Sequence, residues 1–288
     1  MQVKLQSAME YLMTYGWAIL IIAVVLGALF QLGIFNASTF TPKAPPGACH
    51  VFRPNGPLST SFINLQGICN GELPQYAAYF NGVNSYIDVG TSGGLNIQNA
   101  ITLSAWISPK SSGIGTIVAK NAPYYLAFGN SQLSKTACVG GGIYSSAAWH
   151  WVCGNTKIPI NAWSHIVIVY DQVTETAWFD GVNDGSISLS GAMPSFSDTV
   201  KIGYGTPGYN QYFNGYISDV QIYNTSLSSN EVSALYNEGI GGAPIKLNSL
   251  VGWWPLNGDV KDYSGNGNNG VPTGVTFTSN WESGYSAP

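Results

Sequence analysis

The chain has 288 residues, of which 45% are hydrophobic and only 8% are charged. This length and apolar content allow a large folded core and exclude a disordered chain. The formal net charge is −4 and no two basic residues are adjacent, so the sequence gives no electrostatic support for nucleic-acid binding and none is expected.

The first predicted element is a long apolar helix. No Asp, Glu, Lys, Arg or His occurs between Tyr11 and Pro42. At about 1.5 Å per residue, the apolar run within this stretch can cross roughly 30 Å of hydrocarbon. It is longer than the apolar region of a secretory signal peptide. We therefore expect a membrane-spanning helix that stays in the mature protein.

A proline-containing stalk, residues 36–48, follows the helix and leads into the globular part at Cys49. Four cysteines occur in the chain, and Cys49 with Cys69 and Cys138 with Cys153 form the simplest pairs for an exported protein. Free buried thiols are the alternative. Glycosylation sequons begin at Asn36 and Asn224 and fit the same extracellular location.

Short segments rich in β-branched and aromatic residues fill the next part of the chain. They lie at 101–107, 163–170, 176–181, 200–205 and 212–223, and turn residues separate them. Many short strands at this spacing predict a β-sandwich or jelly roll. One helix is predicted after them, with Ser228 or Ser229 as its N-cap, Glu231 in its first turn and Gly239 at its end.

These segments resemble the laminin-G-like, concanavalin A-like jelly roll. The hairpin YFNGVNSYIDVG (79–90) is similar to the opening motif of that family, and ITLSAWISP (101–109) to its core strand. The run 163–182 is similar to its W-x-H strand and aromatic-Asp-Gly hairpin, and 200–239 to its closing strands and terminal helix. The resemblance implies an antiparallel sandwich and is not specific for one activity.

The C-terminal segment LVGWWPLNGDVKDYSGNGNNG, residues 250–270, is also typical of this family but normally stands before the opening hairpin. It either begins a truncated second copy or, as we expect, forms a permuted edge of the same sandwich over 250–282. Asp262, Ser264 and Asn266 have the spacing of the first half of a calcium loop. Thr273 stands where such a loop has a Glu, so purely structural Asx turns are the alternative to calcium.

Binding is favoured over catalysis. The sequence has no clustered carboxylates of the kind that glycan-cleaving relatives use, and we expect no enzymatic activity. We interpret His165 as structural, and Asp180 and Asp184 as parts of a hairpin turn. Tyr124, Tyr125, Trp149 and Trp151 are candidates for stacking on sugar rings, as exposed aromatic residues do in lectin-like sandwiches. Packing between the sheets is the alternative for the same rings.

The N-terminal stretch QSAMEYLMTYGWAILIIAVVLGALFQLGIF resembles the class III signal region of archaeal type IV pilin-like proteins. The resemblance implies cleavage by a prepilin peptidase between Leu5 and Gln6, although the family usually has a small residue where Leu5 stands. It also implies that Glu10 pairs with the N-terminal amine of a neighbouring subunit in a filament. An interfacial Glu10 that remains in headgroup water is the alternative.

The expected organisation is a leader at 1–5, a hydrophobic helix at 6–35, the stalk, and a jelly-roll domain at 49–288 with its core at 74–240. The expected fold class is mainly β, with a single transmembrane helix before the sandwich. The expected function is cell-surface structural or adhesive, with the C-terminal domain outside the cell and an extracellular glycan as its partner. A monomeric membrane-anchored lectin is the alternative, and an anchored glycan hydrolase is a weaker one.

Overall fold

The computed structural model describes Tyr15 and residues 18–26, 50–52, 64–66, 74–205, 211–286 and 288. The chain divides into two compact units, Met1–Pro45 and Pro46–Pro288. In the first unit, residues 18–26 are helical. No helix within the described ranges is both long and apolar enough to cross a membrane. Leu5, Gln6, Glu10 and Asn36 lie outside those ranges, so the expectations that concern them stay predictions.

The second unit is a sandwich of two antiparallel sheets, as the sequence predicts, and a separate hairpin of β1 (His50–Phe52) and β2 (Asn64–Gln66) precedes it. Eight strands form one sheet: β3 (Ala77–Asn81), β5 (Ile101–Pro109), β10 (Ser164–Tyr170), β11 (Thr174–Phe179), β12 (Val182–Ser188), β14 (Asn214–Tyr223), β15 (Leu250–Trp254) and β17 (Thr276–Thr278). Seven form the other: β4 (Tyr86–Gly90), β6 (Gly115–Lys120), β7 (Tyr124–Asn130), β8 (Lys135–Ser145), β9 (Ala148–Cys153), β13 (Val200–Ile202) and β16 (Val271–Thr273).

The main core lies between the two sheets, where alternate residues of each strand point inward. In the central strand β5 these are Leu103, Ala105 and Ile107, and each is fully buried. The eight-stranded sheet has the order β12-β11-β10-β5-β14-β3-β17, with β15 also paired to β14. The seven-stranded sheet has the order β16-β4-β13-β6-β7-β8-β9.

The helix α1 (Ser229–Glu238) begins and ends where the sequence predicts. The Ser228 hydroxyl accepts a hydrogen bond from the Glu231 amide, and the Glu231 carboxylate accepts one from the Ser228 amide, which completes a capping box. Val232 and Leu235 face the outer side of the eight-stranded sheet and pack in one cluster with Trp178. The helix therefore covers part of that outer face.

The C-terminal segment adds strands to both sheets. Strand β15 pairs with β14, β17 pairs with β3, and β16 pairs with β4 of the opposite sheet. Beyond β17, Trp281 is buried in a second outer cluster with Trp106 and Trp163, and its indole nitrogen donates to the Pro74 carbonyl at 3.0 Å. This segment and α1 therefore each cover part of the outer side of the eight-stranded sheet.

The predicted disulfide between Cys138 and Cys153 is confirmed, with a Cα–Cα distance of 5.7 Å. It joins β8 to β9 and closes the hairpin that carries Trp149 and Trp151. Cys49 and Cys69 lie outside the described residues, so their pairing stays a prediction.

Candidate glycan-binding face

Aromatic side chains gather on the outer side of the seven-stranded sheet, across β7, β8 and β9. Tyr125 pairs with Gly142, which pairs in turn with Trp151. In the next row Tyr144 pairs with Trp149. Residues that are directly opposite each other share one face of an antiparallel sheet. We call the group Tyr125, Tyr144, Trp149 and Trp151 the aromatic platform.

The platform points away from the core. Strand neighbours of its members, Leu126, Ile143 and Val152, are buried between the sheets, and alternation therefore directs the platform outward. The four platform residues are each partly exposed. The Trp149 ring centroid lies 5.7 Å from that of Tyr125 and 5.5 Å from that of Tyr144, which is the spacing of interacting aromatic pairs.

Strand β8 contains three consecutive glycines, and one of them, Gly142, leaves room for a platform ring. A Cβ atom at Gly142 would lie 2.2 Å from Cε1 of Tyr125, so the tyrosine ring lies directly over this glycine. A Cβ atom at Gly141 would lie 2.7 Å from Oε1 of Glu175 on the inner side, and one at Gly140 would lie 2.1 Å from the Gly129 carbonyl oxygen. A side chain at any of the three positions would therefore clash, with a different neighbouring group in each case.

Asn130 fixes the position of Tyr125. The two N–H groups of its Nδ2 are shared among three acceptors: the Tyr125 hydroxyl at 3.2 Å, the Gly141 carbonyl at 3.1 Å and the Val152 carbonyl at 3.3 Å. The amide thus links β7, β8 and β9 beneath the platform. Burial raises the pKa of Tyr125, so its phenol stays neutral at physiological pH.

The prediction that Tyr124 stacks on a sugar is wrong. Tyr124 is fully buried in the core, and its hydroxyl donates to the Leu95 carbonyl at 2.8 Å. Consecutive residues in a strand point to opposite sides, so Tyr124 and Tyr125 cannot both be exposed on one face. The structure brings Tyr125, Trp149 and Trp151 together and adds Tyr144, which the sequence analysis did not select.

The strands of the seven-stranded sheet contain no pair of carboxylates for hydrolysis. Asp88 is the only acidic residue in the seven strands of this sheet. Its Oδ1 accepts from the Gly90 amide at 2.9 Å and its Oδ2 from the Thr199 hydroxyl at 3.3 Å. Glycosidases place two carboxyl groups about 5 to 10 Å apart on either side of the scissile bond. Within these strands that arrangement does not exist.

A buried serine–histidine pair occurs elsewhere, and sequence spacing did not reveal it. The Ser104 hydroxyl lies 2.8 Å from Nε2 of His165. The histidine ring contacts Trp106 in a tilted arrangement and stacks on Tyr236, with ring centroids 5.2 and 6.2 Å away. Both Ser104 and His165 are 1% exposed, and Nδ1 of the histidine has no partner among the described residues. Burial lowers the pKa of His165 to about 3, so the ring stays neutral. The pair is closed to substrate and has a structural role.

The Asp262 carboxylate is used within its own loop. Its Oδ1 accepts from the amides of Trp253 at 3.0 Å and Ser264 at 2.9 Å, and its Oδ2 accepts from the Asn268 amide at 2.8 Å. The Asn266 side chain donates to the Leu250 carbonyl at 3.0 Å. These are the bonds of the structural Asx turns that were the alternative to calcium. Among the described residues, no three His, Cys, Asp or Glu side chains form a metal-binding group.

The structure also shows the predicted hairpin turn with Asp180 and Asp184, and the glycosylation sequon at Asn224. Asp180 and Gly181 connect β11 to β12 with φ of 47° and 75°, the left-handed conformations of a type I′ hairpin turn. Asp184 accepts at Oδ1 from the Thr156 amide and hydroxyl at 2.9 and 2.6 Å. Asn224 is exposed at the end of β14.

The chain is similar to solved structures of other proteins. Among solved structures, a candidate carbohydrate-binding protein from Bacteroides ovatus ATCC 8483 is 17% identical, with a TM-score of 0.57, and the match covers 76% of this chain and 66% of that one. A heptameric SAP-like pentraxin from Limulus polyphemus is 16% identical, with a TM-score of 0.49 and coverages of 71% and 94%. These likenesses concern the fold alone. No curated protein sequence matches the chain.

The sequence also matches a family model over residues 81–233, which is slightly more than half of the chain. The matched region contains β4 to β14 and the start of α1, and so includes the whole aromatic platform. The chain therefore belongs to the Laminin_G_3 family of the concanavalin A-like lectin/glucanase superfamily.

Proposed function

We propose that this protein binds neutral carbohydrate on the aromatic platform, and that its jelly-roll domain is displayed at the cell surface. The observation that carries the proposal is the group of partly exposed rings, Tyr125, Trp149 and Trp151, which lie next to each other on the outer side of the seven-stranded sheet. The C–H faces of sugars stack on such rings, and neighbouring hydroxyl groups fix their orientation.

The chemistry of the platform favours a neutral ligand. Its rows contain tyrosine, tryptophan and glycine. Burial keeps the Tyr125 phenol neutral, and a hydrogen bond from Asn130 orients it. The proposal is binding without catalysis, because the strands of this face hold the single acid Asp88. Membership of a lectin and glucanase superfamily, and the likeness to a candidate carbohydrate-binding protein, are consistent with that choice.

The test is equilibrium binding of the full-length chain to a panel of neutral oligosaccharides. Trp151→Ala removes a platform ring, and we expect it to weaken binding by about five- to thirtyfold, the equivalent of roughly 1 to 2 kcal/mol. Tyr263→Ala, which removes an exposed ring outside the platform, is the matched control and should bind as the wild type does. Equal affinity of all three proteins for every bound sugar would contradict the proposal.

The cell-surface part of the proposal is supported by the sequence pattern of the N-terminus. The apolar run and the resemblance to class III signal regions favour cleavage before Gln6 by a prepilin peptidase. Glu10 would then be the fifth mature residue and would pair with the terminal amine of a like subunit, which offsets the cost of a carboxylate next to hydrocarbon. The jelly roll would project from the resulting filament.

Mass spectrometry of the N-terminus after co-expression with a prepilin peptidase tests the anchoring proposal. We expect the first five residues to be lost and sedimentable fibres to form. An intact Met1 in a detergent-soluble monomer would contradict the filament and leave the alternative, an anchored monomeric lectin. A variant with Gly in place of Leu5 is the internal control, because it restores the small residue that the family usually has before the cleavage point.

A further inference from the structure

A cavity of about 320 Å³ lies on the outer side of the eight-stranded sheet, where the β10–β11 hairpin meets the first turn of α1. Its floor includes Val169 and Trp178, and its rim includes Asp171, Thr176 and Ser226. We call it the cap pocket. Its volume is at the lower end of the range of small-molecule sites, about 300 to 1,000 Å³. It is therefore large enough for a ligand of the size of a sugar ring.

Several polar groups in the cap pocket lack partners within the described part of the chain. The hydroxyls of Thr176 and Ser226 make no hydrogen bond there, although both side chains are partly exposed to the cavity. Asp171 uses Oδ1 for the amides of Val173 at 2.9 Å and Thr174 at 2.7 Å, and its Oδ2 accepts none. Two hydroxyls and one carboxylate oxygen are thus free to bond with a polyhydroxylated molecule.

The floor of the pocket is apolar and aromatic. Trp178 is 9% exposed, Val169 is 7% exposed, and both also contact the cluster beneath α1. The indole nitrogen of Trp178 has no acceptor among the described residues. An aromatic floor with free hydroxyl groups at its rim is the combination that recognises a sugar, which has one apolar face and a polar edge.

Three charged side chains line the pocket. Lys246 lies at the rim and forms an ion pair with Glu231, with its Nζ 3.0 Å from Oε1. These two charges offset each other, so Asp171 is the one acid of the lining without a basic partner. One net negative charge remains, and a carboxylate of this kind can accept hydrogen bonds from sugar hydroxyl groups or attract a cation, so the test below includes both kinds of probe.

We propose that the cap pocket binds one neutral sugar ring, either a free monosaccharide or the terminal residue of a glycan. The pocket and the aromatic platform belong to different sheets of the sandwich, and each lies on the outer side of its own sheet. The two sites can therefore be filled at the same time, which would let one molecule connect two glycans. The pocket does not depend on the platform and could bind sugar even if the platform did not.

The experiment is a titration of the isotope-labelled full-length chain with methyl glycosides of common hexoses, followed by NMR at the Trp178 indole N–H, which is assigned with Trp178→Phe. We expect at least one glycoside to shift this signal in a saturable way. Thr176→Val keeps the side-chain shape and removes the free hydroxyl, and it should weaken that binding about tenfold. Thr276→Val removes an exposed hydroxyl at the far edge of the same sheet and should change nothing.

Trp151→Ala separates the two sites, since it should leave the Trp178 titration unchanged even if it abolishes binding at the platform. The proposal is overturned if no methyl glycoside shifts the Trp178 signal at millimolar concentration, or if both threonine variants bind like the wild type. It is also overturned if choline or ethanolamine saturates the site while the glycosides do not. Thermal unfolding of each variant shows whether Thr176→Val is folded, and Ser226→Ala repeats the test at the second free hydroxyl.

Discussion

Removal of the Cys138–Cys153 disulfide tests how the hairpin of the aromatic platform is held. The two cysteines are 15 residues apart, and β8 and β9 between them contain the platform residues Tyr144, Trp149 and Trp151. In the chain-entropy model, closing a loop of about 15 residues stabilises the folded protein by about 3 kcal/mol. We therefore expect the variant with Ala at both positions to lose about 3 kcal/mol of unfolding free energy.

The assay is guanidinium unfolding without reductant, so that the other cysteines keep their native state. Each single alanine variant breaks the same bond and should lose nearly as much stability as the double variant. Such non-additivity identifies the cross-link, and not the packing of either side chain, as the cause. A loss below about 1 kcal/mol in the double variant, or additive losses in the single ones, would refute this reasoning.

Three further predictions concern buried or self-bonded polar groups. Glu175 is fully buried with neither oxygen hydrogen-bonded among the described residues, and burial raises its pKa well above the usual value. With respect to this group, the folded protein is therefore most stable below about pH 4.5, and that stability is lost as the pH rises through the raised pKa. Glu175→Met should stabilise the protein at pH 7 by about 1 to 3 kcal/mol in chemical unfolding. A destabilised variant would contradict this. For His165, whose pKa is lowered to about 3, stability is complete above about pH 6.5 and falls by on the order of 5 kcal/mol as the pH approaches 3. His165→Phe should remove that decline from an unfolding series between pH 7 and 4, and an unchanged slope would exclude the buried histidine as its source. Asp262 already bonds three backbone amides, so calcium should not raise the melting temperature by more than about 1 °C, whereas a saturable increase would establish the calcium site.

The sheet architecture and the helix were predictable because their signals are local. The period-2 pattern of 101–107 marks β5, and Ser228, Glu231 and Gly239 mark the ends of α1. The Cys138–Cys153 bridge was predictable from even cysteine count and proximity in sequence.

Features that depend on strand register were not predictable in the same way. The Ser104–His165 pair joins strands that are 61 residues apart in sequence and become neighbours only when β5 pairs with β10. Tyr144 joins the platform because it stands opposite Trp149, which also requires the register of β8 and β9. The error at Tyr124 was avoidable, since alternation alone forbids two consecutive strand residues on one face.

The glycine run at 140–142 was a visible signal whose meaning needed the structure. Glycine in a strand interior marks a bulge or a close approach. Only the fold shows that Gly142 lies beneath the Tyr125 ring while Gly141 faces Glu175 from the other side. The cap pocket likewise combines a hairpin with a helix terminus more than 50 residues later in the chain, as the positions of Thr176 and Ser228 show.

The most direct test of the central proposal is a crystal structure of the full-length chain with a neutral oligosaccharide that it binds in solution. The proposal predicts a sugar ring in contact with Trp151, Trp149 or Tyr125 on the outer side of the seven-stranded sheet, and loss of that density in the Trp151→Ala protein. A bound sugar found only at another surface, with the three platform rings in contact with solvent alone, would contradict it.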